Sequence, residues 1–105
     1  MQSFLDLAGA SGVTYRFHRV ERPDQLPAIA GNFAYVRGEG QTLAVVGCGM
    51  ADTLLRAGDR WSEAIQDYQA DGIFVRLNVS WKTRGREHED IVLKLQPAMV
   101  IADEL

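Results

Sequence analysis

With one cysteine, Cys48, in 105 residues, the chain cannot close an intrachain disulfide or assemble a multi-thiolate metal site, and it suits a reducing compartment. It also lacks a basic surplus. Its formal charge is −3, whereas a domain that grips nucleic acid ordinarily carries an excess of Lys and Arg to neutralise phosphate. No stretch approaches the roughly 20 apolar residues that span a bilayer, and residues 1–9 have neither a basic leader nor a long apolar segment. These absences point to a cytoplasmic protein with no membrane partner. Proline is scarce, at Pro23, Pro27 and Pro97, and no internal repeat or low-complexity segment breaks the chain. A single domain over 1–105 is expected. Its hydrophobic fraction of 47% and charged fraction of 24% are those of a globular chain.

Residues 2–8, with Phe4, Leu5, Leu7 and Ala8, read as a brief N-terminal helix that Gly9 and Gly12 end. From Val13 to Val20, Val13, Tyr15 and Phe17 alternate with Thr14, Arg16 and His18, which predicts a half-buried strand. Residues 21–30 read as a connection. A second strand starts at Gly31, with Phe33 and Tyr35 on one face and Ala34 and Val36 on the other. The turn Gly38-Glu39-Gly40-Gln41 folds it into a hairpin, and the unbroken apolar run Leu43 to Gly47 is that of a strand buried on both faces. Two helical pieces follow, Met50 to Ala57 and a stripe of Trp61, Ala64, Ile65 and Tyr68, with a bend at Gly58. A strand from Gly72 places Ile73, Val75 and Leu77 opposite Phe74, Arg76 and Asn78. A last helix from about Thr83 carries His88, Ile91, Val92 and Leu95 on one stripe until Pro97. Residues 98–101 are apolar enough to pack, and Asp103-Glu104-Leu105 reads as a solvated tail. The class is α+β: a small three-stranded core sheet plus the N-terminal strand, with helices packed on one face.

From Gly31 to Val100 this order resembles the GIY-YIG nuclease domain, and within it small stand-alone bacterial members, preceded by an extension over 1–30. The resemblance rests on Gly31-Asn32-Phe33, eleven residues, then Val45-Val46-Gly47. It continues through a helix bearing Arg56, the pair Arg60-Trp61, a strand through Phe74-Val75, and Asp90-Ile91-Val92 ahead of Pro97. It implies hydrolysis of phosphodiesters, in which a divalent metal and an arginine balance developing charge and a tyrosine helps move the proton. The positions it maps onto are largely overwritten. The two tyrosine positions hold Phe33 and Val45, neither with a hydroxyl, and Tyr35 lies two residues on as a substitute phenol. Arg56 keeps the phosphate-clamping letter. The metal-binding glutamate position is His88, flanked by Glu87 and Glu89, and the closing asparagine position is Val100.

Two readings follow. The first is a degenerate GIY-YIG-like domain acting as a binding or interaction module with no resident cofactor. The second is a divergent endonuclease of DNA or RNA that uses Mg or Mn and has recruited Tyr35, Arg56 and Glu87 or Glu89. Candidate nucleic-acid contacts are Arg56, Arg60, Trp81, Lys82 and Arg84, with aromatic rings beside cations. The cluster Arg16, Arg19 and Arg22 is a second basic group, and the acidic total favours solvated charges for both. Trp81 has a simpler use against a second protomer, in a homodimer. Cys48 between Gly47 and Gly49 is a candidate thiol nucleophile with His88 as base. The glycine pairs around residues 38–40 and 47–49 complete neither G-x-G-x-x-G nor a Lys-Ser/Thr loop, so they read as turn glycines.

Overall fold

Strand β3, Gly31–Arg37, is the centre of the sheet, and its first six residues are all buried. The computed structural model describes residues 2–102, so the tail expected over 103–105 lies outside the described residues. On one side β3 pairs antiparallel with β5, Gly72–Leu77, and on the other with β4, Ala44–Ala51. These are the three expected core strands, and they stand adjacent in a larger six-stranded mixed sheet. Strand β2, Thr14–Val20, joins β5, and β1, Phe4–Ala8, closes that edge; β6, Met99–Ala102, runs parallel to β4 at the other. The order is β1-β2-β5-β3-β4-β6.

Alternation distributes the core over both faces. Phe33, Tyr35, Ile73, Val75, Met99 and Ile101 pack with Leu54 and Ala57 of a 3-10 segment, Leu54–Gly58, and with Ala64 of helix α1, Trp61–Tyr68. Ala34, Val36, Cys48 and Phe74 pack on the opposite face with Leu5, Leu7, Tyr15, Phe17 and Ile91, the last from helix α2, Trp81–Leu95. The helices therefore cover both faces, which corrects the expectation of one. The reason was in the apolar run of β4, since a strand without a polar face needs a cover on each side. A register shift at Tyr35 and Val36 leaves Val46 without a counterpart on β3. This irregularity puts Val45 beside the α2 core and Val46 in the α1 core.

Three local expectations change. Residues 4–8 form a strand, because Leu5 and Leu7 alternate with exposed Phe4, Asp6 and Ala8 and cover Tyr15 and Phe17; so short a segment gains more from pairing than from one costly helical turn. Strand β4 runs on to Ala51, and only Leu54–Gly58 of the first helical piece coils, as a 3-10 segment capped by Thr53. Helix α2 starts earlier than expected, at Trp81, because the Ser80 hydroxyl caps it by accepting from the Thr83 amide at 3.4 Å. No helix among the described residues is long and apolar enough to cross a membrane.

Asp90 ties α2 to the β1–β2 turn. Its carboxylate accepts from the Ser11 amide (2.9 Å), the Ser11 hydroxyl (2.6 Å) and the Tyr15 hydroxyl (2.6 Å). These bonds, that from the Ser11 hydroxyl foremost, hold it below the usual carboxylate range, and the same carboxylate pushes the Tyr15 phenol up.

Candidate functional site

The sheet separates the expected catalytic positions. Phe33 and Tyr35 lie buried on the α1 face, with ring centroids 5.4 Å apart, and Tyr35 stands 5.5 Å from Trp61. The Tyr35 hydroxyl donates to the Ala57 carbonyl at 2.5 Å, and the ring is fully buried, so this phenol is a core residue. Arg56 projects from the 3-10 segment and pairs with Asp52 at 3.6 Å; Arg60 pairs with Glu63 at 2.9 Å. Val45, Glu87 and His88 lie on the other side of the sheet, in or under α2, and Glu89 is exposed on that helix.

Glu87 belongs to a polar network that its sequence context did not announce. Its carboxylate accepts from Arg76 Nε at 2.8 Å and from Asn78 Nδ2 at 2.9 Å. The same Asn78 amide donates to Asn32 Oδ1, and Asn32 Nδ2 donates to the Arg84 carbonyl at 3.0 Å. Arg84 is itself buried and turns its guanidinium to the Asn78 and Val79 carbonyls, at 3.1 and 2.7 Å. These bonds pin the first turns of α2 to the ends of β3 and β5. The signal in the sequence was Asn32, a polar residue in a strand buried on both faces.

A metal fits poorly here. The inner carboxylate is already committed to Arg76 and Asn78, and among the described residues no group of three or more His, Cys, Asp and Glu side chains could hold an ion. The thiol reading fails on protonation. Burial pushes the Cys48 thiol up to about 12, so it stays protonated at neutral pH and is no nucleophile. No family model, curated protein or solved structure matches the chain.

The side chains that do converge lie along one side of α2. Trp81, Lys82, Gly85, Arg86, His88 and Glu89 face Met50 and Ala102 across a cleft of about 490 Å³. The groove continues past Val92 and Leu93 to Val100 of β6. Trp81 is 68% exposed and Leu93 67%. Most arginines of the domain are engaged: Arg16 with Asp6, Arg22 with Asp24, Arg19 with the Gln2 carbonyl. Among the described residues Lys82, Arg86 and Glu89 make no side-chain hydrogen bond or ion pair. Of the expected nucleic-acid contacts, only Trp81 and Lys82 share this groove. Arg56 and Arg60 are across the sheet, Arg84 is turned inward, and Arg16 lies on the face opposite Arg84.

Proposed function

We propose that this chain is a degenerate GIY-YIG-like domain that serves as an interaction module and does not cleave phosphodiesters. The observation behind this reading is the division of the site positions by the sheet: Phe33, Tyr35 and Arg56 on one side, Val45, His88, Glu87 and Glu89 on the other. Hydrolysis needs a metal, an arginine and a proton carrier within about 3–3.5 Å of one phosphate or its water. Side chains separated by a closed sheet layer cannot meet that condition. The α2–β6 groove offers what an interaction module needs, exposed apolar surface flanked by Lys82, Arg86 and Glu89, whose charges pair with none of the described residues.

The reading is tested by reconstruction. The single variant His88→Glu and the double variant Phe33→Tyr/His88→Glu are incubated with supercoiled plasmid in Mg and then Mn, with circular dichroism as the control for folding. Neither folded variant is expected to cleave, because the restored groups remain on opposite faces. Cleavage gained by either would overturn the reading.

A further inference from the structure

Helix α2 carries Lys82, Arg86, Glu89 and Leu93 at i, i+4, i+7 and i+11, a single outward stripe. Its two ends are unlike. Trp81 projects at the N-terminal end, while near the C-terminal end His88, Glu89, Val92, Leu93 and Val100 enclose a largely apolar hollow of about 350 Å³. Between them stand Arg86 and Glu89, opposite charges that form no ion pair among the described residues. A surface with a projecting ring at one end, a hollow at the other and one charge of each sign in the middle is complementary to itself under a twofold rotation.

We infer that a second copy of this chain covers the groove, with the two α2 helices antiparallel about a twofold axis near residues 87 and 88. The inference rests on reading the groove as the interaction site. At a rise of about 1.5 Å per residue, Arg86 and Glu89 sit roughly 2 Å on either side of that axis, so Arg86 of each copy meets Glu89 of the other. Trp81 and Leu93 sit roughly 8–10 Å out on opposite sides, which brings each indole over the hollow of the other copy. The contact covers Trp81, Leu93 and Val100, three of the exposed large apolar residues of the domain.

Sedimentation equilibrium over a concentration series tests this through charge exchange. The wild type is expected to dimerise. Arg86→Glu and Glu89→Arg, both at exposed positions and checked for folding by circular dichroism, each set like charges opposite one another twice. Each is expected to weaken the dimer by at least about tenfold in Kd. An equimolar mixture of the two variants is expected to dimerise as the wild type does. In the mixed dimer the introduced glutamate of one copy meets the introduced arginine of the other, and the unaltered Arg86 and Glu89 meet in the second pair. The double variant, in which both pairs are reversed, is restored for the same reason. A wild type that is monomeric throughout, single variants that dimerise unchanged, or a mixture that stays monomeric overturns the pairing. None of these outcomes touches the absence of hydrolysis, which the plasmid assay reports separately.

Discussion

Gly49→Ala is expected to destabilise the domain by about 3 kcal/mol or more, the scale of a forced overpacking of a core. A Cβ at this position would lie 2.1 Å from Cζ of Phe33 and 2.5 and 2.6 Å from the flanking ring carbons. The ring cannot give way, since Phe33 is 1% exposed and sits against Tyr35, which in turn contacts Trp61 and is held by its bond to Ala57. At about 4–8 °C per kcal/mol for a domain of this size, the melting temperature should fall by more than about 12 °C. The cost should shrink in a Phe33→Leu background, where the ring is gone, which a double-mutant cycle reads directly. A fall below about 4 °C would show that the ring moves freely.

The same contact explains the pair of motif-like segments. Phe33 is directly opposite Gly49 and Tyr35 opposite Gly47 across the hairpin, and a Cβ at Gly47 would stand 3.0 Å from the Tyr35 ring. Each glycine is a seat for an aromatic ring on the neighbouring strand. Gly47, the closing glycine of the apparent nuclease signature, thus has a packing use that is independent of any reaction.

Glu87→Leu is the second large effect, at about 2–3 kcal/mol in chemical denaturation. The substitution leaves Arg76, whose side chain is 30% exposed, without its carboxylate and removes one acceptor from Asn78. Asn78 keeps its bond to Asn32, so the network is damaged without being erased. Arg76→Met combined with Glu87→Leu should cost less than Glu87→Leu alone, because an uncompensated charge is worse than an apolar pair of similar volume. Equal costs for the single and double variants would mean that the ion pair contributes nothing beyond side-chain packing.

Much of the fold was legible. The alternation in residues 13–20, 31–37 and 72–77 assigned three strands and the correct face for Phe33, Tyr35, Ala34, Val36, Ile73 and Phe74. Strand β1 was missed because Leu5 and Leu7 lie among Phe4 and Ala8, so hydrophobicity hid the period of two. The extension of β4 through Met50 and Ala51 was missed because its inward positions, Gly47 and Gly49, carry no side chain to show the alternation. The site was less legible than the fold. Motif positions fix order along the chain, whereas the face of a sheet depends on parity, and the irregularity beside Val46 resets that parity within the second motif. The network joining Asn32 of β3, Arg76 of β5, Asn78 just past β5 and Glu87 of α2 draws on separate elements, so only the assembled sheet brings it together.

The most direct test of the divided site is a cleavage assay on the unaltered protein. Wild type and Arg56→Ala are incubated with supercoiled plasmid, single-stranded DNA and RNA, first in Mg and then in Mn. No cleavage above the buffer control is expected for either. Cleavage by the wild type that disappears in Arg56→Ala would contradict the division of the site and establish a working phosphate clamp on the α1 side of the sheet.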